Sequence, residues 1–303
     1  MRPNPVSVAN PFRISCYPVK RFCTAESSMT PPILSAERLS VDFVVRHSRK
    51  VHPAVKDVTL AIEAGESVGL VGESGSGKST LARALVGLVD PSTGTCRFHG
   101  QDIGTLDAVG MTRFRRAVQM VFQDPLGSLN PRMRVGQAIG EVLRVHRRAP
   151  DDPAAKTRRL SDDERIADLL GRVGLDASYA RRYPHELSGG QRQRVVLARS
   201  LAVDPEVLIA DEPVSALDVL VQKQVLELMV RLHREAGLAL LLIAHDLAVV
   251  RSACRRLVVL RAGQIVEQGP TEEILARPSH PYTQALIAAV PDIESGLKRR
   301  SSL

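Results

Sequence analysis

The sequence predicts an α/β fold built on a parallel β-sheet, and three observations carry this prediction. Residues Glu66–Val71 form a short apolar stretch that enters a glycine-rich turn and then a helical segment, Ser79–Val86. Residues Val207–Glu212 place four apolar residues before two carboxylates, which is typical of a buried parallel strand that ends at a ligand site. A helical pattern at Val221–Glu235 precedes an apolar stretch at Leu238–Ala244. Alternation of strands and helices is typical of a parallel sheet covered by helices.

Other elements surround this core. Ile33–Phe43 and Val55–Ile62 alternate like strands of a small antiparallel sheet. Arg256–Arg261 is a further predicted strand. Apolar residues recur at helical spacing within Gly136–Tyr183, which is therefore predicted to be rich in helix. The polar stretch Arg148–Asp163 inside that segment contains two prolines and is expected to be an exposed loop.

The motifs favour one composite domain over two. We expect a domain at residues 31–294, with a helical subdomain inserted at about 132–186, and a basic tail at 295–303. Residues 1–30 contain prolines, basic residues and no clear periodicity, and they lack the apolar core of a secretory signal, so they are expected to be a disordered tail. Translation could also begin at Met29, just before the first strand.

Composition argues against a membrane-spanning chain and against specific binding of nucleic acid. A hydrophobic content of 44% with 24% charged residues is that of a soluble globular protein. The longest apolar stretch, Leu238–Ala244, is far shorter than the roughly 20 residues of a transmembrane helix. The net charge of +8 comes from arginines scattered among acids, which favours solvated faces near anionic lipid over specific binding of nucleic acid. The cysteines show no C-x-x-C pair and are expected to be free thiols: Cys16, Cys23, Cys96 and Cys254.

The glycine-rich turn Gly72–Ser79 follows the G-x-x-x-x-G-K-[ST] pattern of a phosphate-binding loop. Its glycines let successive backbone N–H groups point at phosphate oxygens, next to the positive end of the following helix. Lys78 is expected to reach the β- and γ-phosphates, and Ser79 to place its hydroxyl on Mg²⁺. A glycine-rich turn without a ligand is the alternative, which the flanking strand and helix disfavour.

The two carboxylates after the second predicted strand supply the other half of the site. Asp211 is placed to hold Mg²⁺, usually through water, and Glu212 is placed to orient and deprotonate the attacking water. The alternative is that both carboxylates cap a helix.

Together these motifs resemble the nucleotide-binding subunit of ATP-binding cassette (ABC) transporters, from about Ile33 to about Pro291. This resemblance implies an ABC-type P-loop ATPase with the parallel core, antiparallel subdomain and helical insert described above. The motifs occur in the family's order: Gly72–Ser79, Gln123 within Val121–Pro125, Leu187–Gln191, Asp211–Glu212, Ser215–Asp218, and His245 within Ile243–Asp246.

The resemblance also implies roles for single residues. Gln123 would sense Mg²⁺ and the attacking water, and His245 would contact the γ-phosphate. Asp218 would link two nucleotide sites across a dimer, while Ser188 and Gly190 would close on the γ-phosphate of the opposite subunit's ATP. The alternatives are a surface amide, a capping histidine and a plain glycine loop.

The motifs, together with what the resemblance implies, assign catalysis to Lys78, Gln123, Glu212 and His245, and the Mg²⁺ site to Ser79, Gln123 and Asp211. Nucleotide contacts are assigned to Phe43, Gly72, Glu73, Ser74, Gly75, Ser76, Gly77, Lys78, Ser79, Thr80, Gln123, Ser188, Gly189, Gly190, Gln191, Asp211 and Asp218. In the family an aromatic residue near the N-terminus stacks on adenine, so Phe43 is the first candidate and His52 the second. Phe43 packed inside the small sheet is the alternative.

Two segments resemble the branch of the family that imports peptides and nickel: Phe122–Met133, and His280–Leu286 running on to Val290–Pro291. The structural alternative for the second is that Pro281 opens a helix whose Tyr282, Leu286 and Ala289 pack on the core.

The resemblance implies an ATPase at the cytoplasmic face of a bacterial inner membrane. Its partners would be a second ABC ATPase subunit (a copy or a homologous chain), two integral membrane permease subunits and, indirectly, an extracytoplasmic substrate-binding protein. The alternatives are an ATPase of a soluble assembly such as the phosphonate-cleaving complex, and a DNA-repair or ribosome-associated ABC protein. The last is disfavoured because no long coiled-coil insertion is present.

Overall fold

The computed structural model describes residues 31–44, 51–147, 161–215 and 217–289, and ten strands lie within these ranges. The predicted tails at 1–30 and 295–303, and residues 148–160 of the predicted loop, lie outside the described residues. The strands are β1 (Leu34–Val44), β2 (Val51–Ile62), β3 (Ser67–Val71), β4 (Thr93–Phe98), β5 (Gln101–Asp102), β6 (Val118–Val121), β7 (Val207–Asp211), β8 (Ala239–Ile243), β9 (Arg256–Arg261) and β10 (Gln264–Pro270).

Helices connect and cover these strands. They are α1 (Lys78–Leu85), α2 (Ala108–Ala117), α3 (Pro125–Ser128), α4 (Val135–Arg147), α5 (Asp162–Arg172), α6 (Gly189–Leu201), α7 (Val219–Ala236), α8 (Leu247–Ala253), α9 (Thr271–Ala276) and α10 (Pro281–Ala288). No helix within the described ranges has both the length and the apolar character needed to cross a membrane.

The last two residues of the segment predicted to be a loop, Asp162 and Asp163, are helical. Helix α5 begins at Asp162, so the expected loop end at Asp163 is wrong by two residues. Ser161 and Glu164 form a capping box: the Ser161 N–H donates to Glu164 Oε2 at 2.8 Å, and the Glu164 N–H donates to Ser161 Oγ at 3.3 Å. This pair stabilises the first turn and fixes where the helix begins.

The larger sheet has the order β10-β9-β3-β8-β7-β6. Strands β9, β3, β8, β7 and β6 run parallel, and β10 pairs antiparallel with β9. The predicted parallel α/β core is confirmed. Because β8 lies between β3 and β7, the carboxyl ends of these three strands are neighbours, with Ile243 of β8 opposite both Leu70 and Asp211. Ligands of open parallel sheets bind at this edge.

Both faces of the larger sheet are buried at its central strands β3, β7 and β8. In β7, Val207 and Ile209 face one core, while Leu208 and Ala210 face the other. The first core is shared with α1 and with the smaller antiparallel sheet, which has the order β2-β1-β4-β5 and contains the two predicted antiparallel strands. The second core packs against α4, α5, α6 and α7. Burial on both sides explains the nearly continuous apolar character of β7 and β8.

Candidate active site

The phosphate-binding loop connects the fully buried strand β3 to helix α1. Gly77 caps α1 with a φ of 103°, and a Cβ at this position would overlap the carbonyl oxygen of Ala54. Only glycine meets both conditions without strain. A residue outside the loop also stabilises it, since the Gly263 N–H donates to the Ser76 carbonyl at 2.9 Å. The loop is therefore held in a curled shape by its neighbours.

Lys78 is the central cation of this loop and is only 5% exposed. Its Nζ donates to the carbonyl oxygens of Gly72 and Glu73, each at 2.8 Å. Burial lowers the pKa of Lys78, and the carboxylates of Glu212, Asp211 and Glu73 partly oppose this shift. The ammonium group is thus enclosed by oxygen atoms inside the loop, where it can also meet phosphate oxygens.

Ser79 and Asp211 bring two oxygen ligands together. The Ser79 Oγ donates to Asp211 Oδ1 at 3.0 Å, although the residues are far apart in the sequence. Burial raises the pKa of Asp211, the hydrogen bond from Ser79 opposes this, and the nearby Glu212 raises it further. A buried carboxylate beside a second carboxylate and a hydroxyl fits a divalent cation, which prefers oxygen ligands. These residues therefore fit Mg²⁺.

Glu212 leaves the end of β7 in an unusual backbone conformation, with a φ of 45°. Such a conformation is uncommon for a residue with a side chain and is often found at functional sites. The Glu212 N–H donates to the Ile243 carbonyl at 3.0 Å, which fixes the turn against β8. The side chain is 21% exposed and remains reachable by solvent.

Two other predicted catalytic side chains, Gln123 and His245, lie at the Glu212 carboxylate. The Gln123 Nε2 donates to Glu212 Oε2 at 2.9 Å, and His245 Nδ1 lies 3.8 Å from the same oxygen. Gln123 follows β6 and His245 follows β8, so the sheet order creates the cluster. Gln123 is exposed, as a surface amide would be, but its amide group contacts a carboxylate of the site. Helix α8 is capped by Asp246, whose Oδ1 accepts from the Ala248 N–H at 2.8 Å. The chemical roles of the cluster stay predictions.

The Leu187–Gln191 motif forms the start of helix α6. Ser188 and Gln191 make a capping box, in which Ser188 Oγ accepts from the Gln191 N–H and Gln191 Oε1 accepts from the Ser188 N–H. The Gln191 Nε2 also donates to the Tyr179 hydroxyl at 3.0 Å. The side chain of Gln191 is thus engaged within its own domain, where it orients the motif. Contact of Ser188, Gly189 and Gly190 with another subunit's nucleotide stays a prediction.

Asp218 caps helix α7, and the first turn of α7 packs against the Leu187–Gln191 motif. The Asp218 Oδ1 accepts from the Val221 N–H at 3.0 Å and so caps the helix. A Cβ on Gly190 would overlap Cγ1 of Val221, so close packing of α6 and α7 requires glycine there. Asp218 and the α6 motif therefore lie close together, which is compatible with the predicted role of Asp218 between two nucleotide sites.

The two adenine candidates lie opposite each other in the smaller sheet. Phe43 of β1 pairs with His52 of β2, and directly opposite residues of an antiparallel pair project from the same face. Phe43 is 43% exposed, so it is not packed inside the sheet. An exposed ring beside a histidine is available for stacking on a base.

We expect Phe43→Ala to weaken ATP binding by at least about five-fold, because stacking of a base on an aromatic ring contributes about 1–3 kcal/mol. His52→Ala is the matched variant, and equilibrium titration with ATP and with inorganic triphosphate gives the measurement. Triphosphate should bind both variants like the native protein. If only His52→Ala weakens ATP binding, the stacking residue is His52 and the first assignment is wrong.

The helix predicted from Pro281 is present as α10. Tyr282 and Leu286 pack against the core as expected, whereas Ala289 is exposed and Ile287 is buried instead. Helix α10 ends at Ala288, and its buried positions are one turn apart at Thr283 and Ile287. One contact of this helix was not predicted: the Tyr282 hydroxyl accepts a hydrogen bond from the Glu73 N–H of the phosphate-binding loop.

Cys96 and Cys254 are free thiols, as predicted. Both are buried, and burial raises the pKa of each thiol to about 12. Cys16 and Cys23 lie outside the described residues.

Residues 55–215, more than half of the chain, match the family described as ABC transporter. The chain belongs to the ABC transporter family. It therefore contains that family's ATPase cassette, and residues 266–303 match a second description, oligopeptide/dipeptide transporter, C-terminal region.

Relatives of this ABC protein are named as import ATP-binding proteins. It is 47% identical over 278 residues to the glutathione import ATP-binding protein GsiA of Pectobacterium atrosepticum, covering 90% of the chain and 43% of GsiA. It is 48% identical over 272 residues to a Brucella abortus protein named "Putative peptide import ATP-binding protein", covering 88% of the chain and 79% of that protein. The chain thus spans less than half the length of the GsiA proteins that it matches.

Solved structures of ABC cassettes share the fold. The ATP-binding cassette MJ0796, a dimeric structure bound to ADP and Pi, has a TM-score of 0.68 at 28% identity, over 78% of this chain and 98% of the cassette. The protein cbiO1 from Clostridium perfringens, part of the transporter complex cbiONQ, has a TM-score of 0.67 at 29% identity, over 82% of this chain and 92% of cbiO1.

Proposed function

We propose that this chain hydrolyses ATP and energises the import of peptides as the ATP-binding subunit of an ABC importer. The observation that carries the hydrolytic part is the convergence of Gln123 and His245 on the Glu212 carboxylate. The neighbouring strand ends carry Lys78 and the Ser79–Asp211 pair. A base, a cation and oxygen ligands for a metal therefore share one edge of the sheet.

The reaction follows from these positions. The N–H groups at the start of α1 and the Lys78 ammonium bind the phosphates. Ser79 and Asp211 would hold Mg²⁺, which when bound neutralises phosphate charge. Glu212 accepts a proton from a water whose oxygen bonds to the γ-phosphorus, while the bond from that phosphorus to the bridging oxygen of ADP breaks. Gln123 holds the Glu212 carboxylate in place through its hydrogen bond. His245 lies beside the same carboxylate and would donate a hydrogen bond to the phosphoryl group.

Two cassettes are needed in this proposal. Ser188 and Gly190 of one cassette would close on the γ-phosphate at the loop of the other, with Asp218 linking the two sites. The exposed start of α6 supports this because helix N-termini favour anions. The related cassette MJ0796 is dimeric in its structure with ADP and Pi. The second cassette would be a copy of this chain or a homologous chain.

The cargo class rests on the C-terminal match and on the relatives' names. Residues 266–303 match the oligopeptide/dipeptide transporter region, and relatives are named for glutathione and peptide import. Glutathione is itself a small peptide, so these names share one chemistry. We therefore propose peptide import rather than nickel import. The chain would act at the cytoplasmic face of a bacterial inner membrane, beside two permease subunits and, through them, an extracytoplasmic substrate-binding protein.

Co-purification tests the importer assignment. Extraction of native membranes in mild detergent, followed by capture of the tagged chain, should recover two multi-span membrane proteins and a cassette partner. The same capture from the soluble fraction is the control. Recovery with soluble enzymes alone, such as a phosphonate-cleaving assembly, would overturn the importer proposal and leave the ATPase proposal standing.

A further inference from the structure

The C-terminal helix α10 reaches the phosphate-binding loop through one side chain. The Glu73 N–H donates to the Tyr282 hydroxyl at 2.8 Å, across a sequence separation of 209 residues. Tyr282 is half-buried and packs against the core, so its ring has a fixed support. The contact connects the region matched as peptide-transporter C-terminal to the loop that binds phosphate.

The segment before α10 is held by one carboxylate on β10. Glu267 accepts hydrogen bonds from the N–H and Oγ of Ser279, both at 2.8 Å, and from the His280 N–H at 3.1 Å. Three donors on one carboxylate order the turn more strongly than a single bond would. The start of α10 is therefore anchored to the larger sheet.

The first turn of α10 fixes the orientation of Tyr282. His280 Nδ1 accepts from the Tyr282 N–H at 3.1 Å, and Pro281 occupies the first helical position, which it favours. The guanidinium of Arg261 lies over the Tyr282 ring, 4.9 Å from its centroid. The position of the Tyr282 hydroxyl is thus restricted by the turn anchored on Glu267, by the His280 cap and by the Arg261 guanidinium.

The Tyr282 bond and the Lys78 bond act on the same peptide unit. The Gly72 carbonyl, which accepts from Lys78 Nζ, and the Glu73 N–H, which donates to Tyr282, belong to the single peptide bond between Gly72 and Glu73. In a trans peptide these two groups point in opposite directions. With its N–H held by Tyr282, this peptide must present its carbonyl to Lys78.

We propose that Tyr282 is a positioning residue of the ATP site, which prevents rotation of the Gly72–Glu73 peptide and so places Lys78 for phosphate. The inference rests on the proposed role of Lys78 in binding ATP. It gives the C-terminal region a task inside the nucleotide site, in addition to the packing that its apolar residues perform.

Tyr282→Phe tests this inference, because it keeps the ring beside Arg261 and removes only the hydroxyl. We expect the dissociation constant and the KM for MgATP to rise about five-fold, which is the loss expected for one hydrogen bond. The number of binding sites, kcat and the melting temperature should stay near native. Tyr183→Phe is the matched control, since its hydroxyl accepts a long 3.4 Å bond from Arg134 Nε, and it should bind ATP normally.

Hydrogen exchange provides a second measurement on the folded protein. The peptide that contains Glu73 should exchange its amide faster in Tyr282→Phe, while peptides from β8 should not change. Native affinity together with native exchange in Tyr282→Phe would overturn the inference. So would a loss of binding sites or stability at unchanged affinity, because that pattern describes packing alone.

Lys78→Ala separates this inference from the proposed function. If Lys78→Ala loses ATP binding and Tyr282→Phe behaves as native, only the positioning role fails. If Lys78→Ala binds ATP normally, the assignment of the loop itself fails.

Discussion

Glu212→Gln should lower the rate of ATP hydrolysis by about 10²–10⁴-fold, which is the usual contribution of a general base. The amide keeps the size of the side chain and its contact with Gln123, but it cannot accept the proton of the attacking water. ATP affinity should stay within about two-fold of native, because the loop residues that bind phosphate are unchanged. Phosphate release and equilibrium titration with MgATP measure the two quantities.

Glu227→Gln is the matched control for this variant. Glu227 is a surface carboxylate on α7, at 66% side-chain exposure, in a loose 4.0 Å pair with Lys223. Its loss should change neither turnover nor affinity, since exposed pairs contribute little. Native turnover in Glu212→Gln would show that another group removes the proton.

Lys78→Ala should weaken ATP binding itself, on the order of 100-fold. Hydrogen bonds to charged groups contribute about 1.5–3 kcal/mol each, and Lys78 is expected to reach both the β- and γ-phosphates. The variant also leaves the carbonyls of Gly72 and Glu73 without the Nζ donor that each has in the structure. Equilibrium titration with MgATP and with adenosine measures the effect, which should be confined to the phosphate-bearing ligand.

Lys78→Met provides the control for packing, because it fills the buried space of the side chain without its charge. Both variants should lose ATP affinity to a similar degree. If Lys78→Met binds ATP like the native protein, the ammonium group does not hold the phosphates and the loop assignment is wrong.

Local patterns predicted most of the elements that carry the site. The apolar stretch at β7 and the glycine-rich turn before α1 depend on neighbouring residues, so periodicity and spacing reveal them. Predicted and observed bounds differ by one or two residues at several ends, as for α7, which was predicted from Val221 but begins at Val219 because Asp218 caps it. Caps depend on side-chain geometry that a hydrophobic pattern does not contain.

Such local patterns do not predict the order of the strands in the sheet. Strand β8 follows β7 in the chain but lies between β7 and β3 in the sheet, and this insertion brings His245 beside Glu212. The family resemblance implied that these residues act together, whereas their spacing in the sequence carries no such information. Strands β4 and β5 were likewise not predicted, because β4 buries only Cys96 and Phe98 and β5 has only two residues, so neither shows a long apolar alternation.

Long-range contacts to the loop were missed for the same reason. The bond between Glu73 and Tyr282 joins a backbone N–H to a side chain 209 residues away, and nothing in the loop motif specifies an acceptor for that group. Helical periodicity predicted the helix and the packing of its ring. The position of the hydroxyl follows only from the turn anchored on Glu267.

ATP-dependent association is the most direct test that the site is shared between two cassettes. Sedimentation velocity of the Glu212→Gln chain, alone and mixed with the cassette that co-purifies from membranes, should show a dimer with MgATP and monomers without it. Adding Ser188→Arg to this chain, and the same change at the matching position of the partner cassette, should prevent the dimer, because it blocks the predicted contact at the start of α6. Persistence of monomers in every mixture with saturating MgATP would contradict a site completed by a second subunit.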